Sequence, residues 1–418
     1  MSDNKSILVV GGGISGITAA VEAAEVGYNV CLVEKNAYLG GRVAQNNQYF
    51  PKLCPPSCGL EINFRRIKNN SRIKLFTLAE VEEISGEEGA YAVKIKINPR
   101  YVNENCTACG DCAEVCSTEI PNEFNYGMDK VKGAYLPNEF AFPMRYVISP
   151  EIIGTEDARK CKDACKYNAV DLEMQPETIN IKVGSVIWAT GWQPFDPGKV
   201  EYYGFNKHKN VITNVMMERL ASQNGPTRGK IVRPSDDKEI ESIAFVQCAG
   251  SRDENYLPFC SSVCCLASLK HATYVRDQYP EAKIYIFYID IRALGRYEEF
   301  YVNVSNDDKV FLIKGKVAEI IEDPGTGALT VTAEDQMSGK LTKETVDMVV
   351  LATGMVPTTV DIKVPADVTY DENGFIVPDD NKRGIYGTGC VKRPMDVASS
   401  VQSATAAALK AIQSTVRG

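Results

Sequence analysis

The apolar positions of this chain fall into strand-length runs alternating with stretches of helical spacing. Ile7 to Val10 form one run, closed by Gly11. From Ile14 the period becomes helical, with Ile17, Val21 and Ala24 on one face. Val30 to Val33 make a second run, closed by Glu34. The order is strand, helix, strand. "SVIWATG" at 185–191 and "VVLATG" at 349–354 are apolar strands that each end in Ala-Thr-Gly. Between them, Ile243 to Val246 predicts a strand, about Val263 to Arg276 a helix and Ile284 to Ile289 a further strand. Near the end, "GIYGTGC" at 384–390 precedes a helix of small residues, "DVASSVQSATAAALKAIQS". Strands alternating with helices predict an α/β fold with parallel sheets. No apolar run approaches the roughly 20 residues that span a bilayer, so any membrane link is expected to go through a partner.

Composition sharpens this only at a few points. The 418 residues carry a net charge of −8 with no basic block, which argues against nucleic acid as a partner. "MSDNKSILVV" lacks an apolar signal region, so an intracellular chain is expected. Fourteen cysteines in that setting point to metal binding or redox work rather than disulfides. Only two histidines, His208 and His271, are present, too few for histidine-based metal or triad chemistry.

Gly11, Gly13 and Gly16 form a G-x-G-x-x-G between the first strand and its helix. The first glycine permits the tight turn, the second the approach of a pyrophosphate, the third close helix–strand packing. The anion sits on the helix N-terminus, and Glu34, about 20 residues on, is placed to accept from a ribose 2′-OH. With both strands, the helix and the acid in place, a dinucleotide site is predicted here.

Two groups of cysteines carry further chemistry. Cys106, Cys109, Cys112 and Cys116 have the C-x2-C-x2-C-x3-C spacing of bacterial ferredoxins. Downstream, "ARKCKDACKYNAVDLEM" resembles a decayed second half of a ferredoxin, with Cys161 and Cys165 remaining. One [4Fe–4S] cluster is expected. Cys106, Cys109 and Cys112 supply three ligands, and the fourth is Cys165 by ferredoxin topology or Cys116 by local spacing; a zinc knuckle is the bland alternative. The second group is Cys248 at a predicted strand end, then Cys260, Cys264 and Cys265 in "FCSSVCC". These lie where a second glycine fingerprint belongs in a second dinucleotide domain, and the fingerprint is absent. Four thiols there match the ligand count of a [4Fe–4S] cluster, with zinc or buried apolar cysteines as alternatives. Cys54 and Cys58 in "LCPPSC" read as inert or structural.

The two Ala-Thr-Gly strands, "LGGR" at 39–42 and the late "GIYGTGC" resemble flavoproteins of the disulfide-reductase type, with one FAD domain and one NAD domain. That resemblance implies FAD contacts from Gly11, Gly13, Ile14, Ser15, Gly16, Glu34, Lys35, Gly41, Arg42, Ala189, Thr190, Gly191, Gly389 and Cys390. Cys390 stands where those proteins usually have Asp, a departure at the ribityl contact. "FVQCAGSRDENYLPFCSSVCC" and "IFYIDIRALGRYEEFY" further resemble the HdrA family, the flavin subunits of heterodisulfide reductases. The likeness covers roughly residues 5 to 415. It implies that Cys248, Cys260, Cys264 and Cys265 hold an unusual cluster, and that Lys270 brings a cation to the flavin; a solvated helix lysine is the alternative.

The expected organisation is an FAD domain over 1–99, a ferredoxin-like insert over 100–178, a return and linker over 179–198, an NAD-domain-like module over 199–341 and the rest of the FAD domain over 342–418. The expected function is an electron conduit with one FAD and two [4Fe–4S] clusters. Because the chain stops soon after its last helix, it is similar to the short HdrA-like chains (QmoA) of the quinone-interacting membrane-bound oxidoreductase. Those imply three partners in sulfate reduction at the cytoplasmic membrane face: adenylylsulfate reductase, a second HdrA-like flavoprotein subunit, plus a haem-containing membrane subunit. A soluble heterodisulfide-reductase subunit that bifurcates electrons is the alternative. A scaffold with vestigial cofactors and a stand-alone NAD(P)H reductase are the remaining readings.

Overall fold

A computed structural model describes residues 5–377 and 383–417. The chain opens with β1 (Ser6–Val10), α1 (Ile14–Glu25) and β2 (Asn29–Glu34), followed by α2 (Pro56–Asn69) and β3 (Ile73–Thr77). Next come β4 (Ala79–Glu87) and β5 (Ala90–Ile97), then the cysteine-bearing segment, whose longest helix is α3 (Glu156–Ala164). The chain continues through β6 (Glu177–Val183) and β7 (Ser185–Trp188). A second unit follows, with β8 (Val211–Thr213), α4 (Asn214–Ala221), β9 (Ser242–Ala249), α5 (Cys264–Gln278), β10 (Lys283–Tyr288) and β11 (Val310–Lys314). It ends with β12 (Val317–Glu322), β13 (Leu329–Asp335), β14 (Lys340–Val346) and β15 (Met348–Thr353). Finally β16 (Ile385–Gly387) and α6 (Val397–Arg417) belong again to the first unit.

The first unit comprises the chain up to Trp192, Pro357–Arg393 and the chain from Val397. Its main sheet has the order β16-β7-β1-β2-β3. Every pairing is parallel, with Leu8 opposite Cys31 and Val186. Both faces of a parallel sheet are covered, which is why β1 reads as an unbroken apolar run and is buried throughout. On one face α1 lies against α6, and the contact is lined by Ala20, Ala24, Ala404, Ala407, Ala408 and Ala411. Small side chains let the two helices approach closely. The other face meets β4, β5 and β6, an antiparallel sheet of order β6-β5-β4.

The cysteine-bearing segment forms its own small core of Val102, Cys112, Cys116, Ile148, Ile152, Ala158 and Cys161. The stretch expected as an irregular connection contains two short antiparallel pairs, Glu119–Pro121 with Lys130–Lys132 and Ala134–Tyr135 with Val147–Ile148. Its aromatic residues anchor it to the first unit. Phe142 stacks on Phe64 of α2 at 5.2 Å between ring centroids, and Phe124 meets Tyr38 edge-on at 5.6 Å.

The second unit, Gln193–Val356 with Pro394–Asp396, holds a parallel sheet of order β8-β15-β9-β10-β11 and an antiparallel sheet of β12, β13 and β14. One boundary differs from the sequence reading. The chain leaves this unit after Val356, not after residue 341, because β14 completes the antiparallel sheet and β15 pairs with both β8 and β9. The expected strand over 243–246 extends to Ala249, and the helix expected over 263–276 runs Cys264–Gln278. Among the described residues, no helix is long and apolar enough to cross a membrane.

Candidate functional site

The nucleotide cradle of the first unit is built from the turn after β1. Gly11 has φ +108°, and a Cβ there would lie 2.3 Å from the Ala189 carbonyl oxygen. A Cβ on Gly16 would lie 1.8 Å from the Gly11 carbonyl oxygen, so the turn and α1 touch backbone to backbone. Gly13 is different: the nearest atom to its Cβ is the Gly41 Cα at 4.0 Å, so its free side is open. Gly13 is also the N-cap of α1 and supplies no side-chain cap, which leaves the first N–H groups of the helix available to an anion. Ile14 and Ser15 form the first turn, and the Ser15 hydroxyl donates to the Ser400 carbonyl at 3.5 Å. The open glycine and the uncapped helix end fit a pyrophosphate.

Glu34 ends β2 fully inside this turn. Its Oε2 accepts from the Gly12 N–H at 2.5 Å and its Oε1 from the Asn36 N–H at 2.7 Å. Burial pushes its carboxyl above the usual range, against the pull of those backbone donors and of nearby Lys35. The carboxylate therefore braces the glycine turn as well as facing the cradle. Lys35 itself is exposed. Gly40 donates to the Gly12 carbonyl at 2.8 Å, so the "LGGR" loop is laid directly on the fingerprint.

Arg42 does not share that position. Its guanidinium donates to the Trp192 carbonyl at 3.2 Å and to the Tyr126 hydroxyl at 3.0 Å, and it lies over both aromatic rings. Arg42 thus ties the "LGGR" loop to the cysteine-bearing segment, a contact the linear pattern could not reveal. Ala189, Thr190 and Gly191 follow β7, and the Thr190 hydroxyl accepts from Thr358 at 2.9 Å. Gly389 and Cys390 lie at the N-terminal side of α6. A Cβ on Gly389 would meet the Ser15 Oγ at 2.2 Å, and Cys390 Sγ is 3.9 Å from the Ser400 hydroxyl. The fingerprint, the Ala-Thr-Gly turn and the late G-x-G segment are thereby gathered at one end of one sheet, the carboxyl end where open α/β sheets bind ligands.

In the cysteine-bearing segment, Cys106, Cys109 and Cys112 face one another around the left-handed turn at Gly110. Burial pushes the Cys112 thiol up to about 12, and the other two sulfurs add to the rise. Cys116 and Cys161 form a separate buried pair, and the Cys161 thiol donates to the Cys112 carbonyl at 3.2 Å. Burial first, then Cys116, pushes Cys161 up to about 12. Cys165 sits at the end of α3, edges the same small core as Cys106, and accepts the Ala169 N–H at 3.2 Å. The turn carrying Cys116 is fixed by Asp157, which accepts from Ser117 and Thr118 backbone and hydroxyl groups at 2.7–3.0 Å. Those donors, Thr118 foremost, hold the Asp157 carboxyl well below the usual range.

In the second unit, Cys248 is the last but one residue of β9, and its φ of +56° falls where the pairing with β15 becomes irregular. Cys264 and Cys265 open α5, and Cys260 lies in the loop before it, accepting the Ser262 N–H at 3.3 Å. Cys264 is fully buried; burial and the sulfurs of Cys248, Cys265 and Cys260 push its thiol well up. Burial and Cys265 push Cys248 up to about 11, with Arg252 pulling the other way. Arg252 pairs with Asp290, and Arg292 stands beside Cys260 and Asp290, so cations rim the set.

No three His, Cys, Asp or Glu side chains converge as a single-ion site among the described residues. An iron–sulfur cube spreads its thiolates more widely than one ion does, and the two cysteine sets fit that larger group. Each set offers grouped thiols whose proximity disfavours the protonated-to-free-thiolate step, a cost that bound metal removes. Each set also has a backbone N–H already donating to a ligand sulfur.

Lys270, expected to bring a cation to the flavin, is held by a buried carboxylate. Its Nζ lies 2.6 Å from Glu218 Oε1, which also meets His271 Nε2 at 2.6 Å. All three side chains are buried. An ammonium in such an interior needs an anion beside it, and α4 supplies one. The sequence reading missed Glu218, since nothing in a helix of ordinary spacing marks one glutamate as the counter-ion of a lysine 52 residues on.

Comparison with known proteins agrees with this geometry. A family described as FAD dependent oxidoreductase matches residues 6–52, the fingerprint and its flanks. The chain is 41% identical to an A-type iron-sulfur subunit of the CoB–CoM heterodisulfide reductase of Methanopyrus kandleri, over 98% of this chain and 64% of that protein. It is 37% identical to the A-type subunit of the H2:CoB-CoM heterodisulfide,ferredoxin reductase of Methanothermobacter marburgensis, over all of this chain and 64% of that one. The chain thus spans a little under two thirds of the length of these relatives. Among solved structures, thioredoxin reductase of T. acidophilum superposes with a TM-score of 0.54 at 17% identity, covering 99% of each chain, a likeness of fold. These relatives carry the heterodisulfide-reductase alternative rather than the quinone-linked reading. With the cradle, the cysteine loop and the length of the match taken together, the chain is HdrA-like, similar over its whole length to the A subunits of heterodisulfide reductases.

Proposed function

We propose that this chain is the flavin-bearing electron-transfer subunit of a heterodisulfide-reductase-type complex, splitting electron pairs at FAD between partners. The observation that carries the proposal is the second unit, which keeps the dinucleotide-type sheet but presents Cys248, Cys260, Cys264 and Cys265 where a phosphate-binding turn would stand. When bound, FAD converts two-electron to one-electron transfer and iron–sulfur clusters carry single electrons. Two [4Fe–4S] clusters are proposed.

The chain's own residues then have distinct tasks. Gly13 and the uncapped α1 bind the pyrophosphate, and Glu34 holds the turn rigid and accepts from the ribose. Cys248, Cys260, Cys264 and Cys265 hold one cluster. Cys106, Cys109, Cys112 and Cys165 hold the other; Cys116 is paired with Cys161 instead, which favours Cys165 as the fourth ligand. Lys270 keeps its proposed role as the cation of the second unit, held in place by Glu218. The relatives are named as subunits, so a complex with further subunits is part of the proposal. Their names supply heterodisulfide and ferredoxin as the partner couples.

The test is iron, sulfide and flavin content of anaerobically purified protein, with electron paramagnetic resonance after reduction. Near eight iron and one FAD per chain is expected, with Cys264→Ser and Cys112→Ser each removing one signal. Bound zinc without iron overturns the conduit. Reduction of the flavin by NADH in the isolated chain overturns the reading of the second unit.

A further inference from the structure

β9 carries a side chain whose position no task above explains. Gln247 is 5% exposed, and neither its Nε2 nor its Oε1 has a partner. Leaving both polar atoms of a buried amide unmet is costly, so a buried amide of this kind calls for a hydrogen-bonding ligand. Its direction follows from the strand. Ala244, Val246 and Ala249 lie in the core shared with β12 and β13. Phe245 looks the other way and its ring is 6.1 Å from that of His271 on α5. Val246 faces that core, so its neighbour Gln247 points the other way, toward α5, just before the pairing becomes irregular on the way to Ala249.

The height along α5 follows as well. A crossover helix runs antiparallel to its strand. Two residues forward on β9 advance about 6.6 Å, which on the helix is a little over four residues back at about 1.5 Å each. Starting from the Phe245–His271 contact, Gln247 therefore faces the stretch from Leu266 to Ser268, between His271 and the helix start at Cys264. The Ser268 hydroxyl is itself fully buried without a partner. Cys248 is the next residue in the chain. Gln247 thus lies on the α5 side of β9, next to Cys248 in the chain and between His271 and the cysteine set.

We infer that the Gln247 side-chain amide donates a hydrogen bond to sulfur of the iron–sulfur group held at Cys248 and Cys264, and so acts as a positioning and tuning residue for it. This rests on the cluster assignment of the second unit. Reduction adds negative charge to the cluster, and a donor on its sulfur stabilises that charge more in the reduced form, raising the potential.

The experiment uses the full anaerobically purified chain. The signal lost in Cys264→Ser is titrated against potential in the wild type and in Gln247→Met, which keeps the volume and removes the donor. The expected result is a midpoint shifted to more negative potential in Gln247→Met with iron and sulfide content unchanged. An unchanged midpoint at full iron content overturns the inference and assigns the amide to structural water. Should Gln247→Met lose iron, the wild-type chain labelled with 15N at glutamine side chains decides. A weak 15N coupling to the Cys264-dependent signal in double-resonance spectra supports the donor, and its absence overturns it. If Cys264→Ser removes no iron, the cluster assignment itself has failed and the role of Gln247 falls with it.

Discussion

Glu218→Leu perturbs the buried ion cluster of the second unit at its centre. The carboxylate serves Lys270 and His271 through one oxygen, Oε1, at 2.6 Å from each. Removing it takes the counter-ion from the Lys270 ammonium. The upper side is that of leaving an uncompensated charge in the interior, up to about 5 kcal/mol. The lower side comes from Glu218. Burial pushes its carboxyl up, but the charges of Lys270 and then His271 outweigh that and hold it at about 2, against an ordinary 4.5. That depression corresponds to about 3 kcal/mol of stabilisation. Breaking a buried pair costs about 3–5 kcal/mol in other proteins, in agreement. With a urea slope of about 2–3 kcal/mol/M, the midpoint of the second unit falls by about 1–2 M. Far-UV circular dichroism in urea reads this, and the two tryptophans, Trp188 and Trp192, report the first unit as an internal control. Glu218→Leu combined with Lys270→Met recovers most of the loss, since both charges go together. A single variant as stable as wild type, or a double variant no better than the single, refutes the reasoning.

Three further outcomes follow from the same geometry. Gly13→Ala leaves the fold intact but lowers the flavin-to-protein absorbance ratio, because its Cβ meets no atom closer than 4.0 Å yet occupies the pyrophosphate's path; Gly16→Ala loses both, because its Cβ would lie 1.8 Å from a carbonyl oxygen. Cys165→Ser lowers iron by about one cluster equivalent, whereas Cys116→Ser, altering a thiol paired with Cys161, leaves iron content near wild type. Acid weakens the second unit in two steps. Burial holds His271 below its ordinary 6.5, so stability first declines as pH falls below that value; the contribution of Glu218, full above 4.5, is lost as pH falls through about 2. Urea midpoints between pH 7 and 3 check both steps, and a flat profile contradicts them.

Much of this protein is written locally. The turn at Gly11, Gly13 and Gly16 with its flanking strands is legible because sterics and helix-end electrostatics act within thirty residues. The cysteine spacings are equally plain, since a ligand set leaves its mark as residue type and interval. The α/β class follows from the alternation of runs such as Ile7–Val10 and Ile284–Ile289 with helical spacing. Other decisions needed the tertiary structure. Arg42 meets Tyr126 and Trp192, because a guanidinium goes where planar partners and a carbonyl converge, and that convergence joins residues 84 and 150 positions away. The boundary at Val356 rather than residue 341 was set by the pairing of β15 between β8 and β9, a register that no local pattern encodes. Lys270 acquired Glu218 for the same kind of reason: burial of a charge is decided by the packing of two helices, and the identity of its counter-ion by which carboxylate that packing delivers. Spacing fixes what a residue is able to bind; the fold decides what it meets.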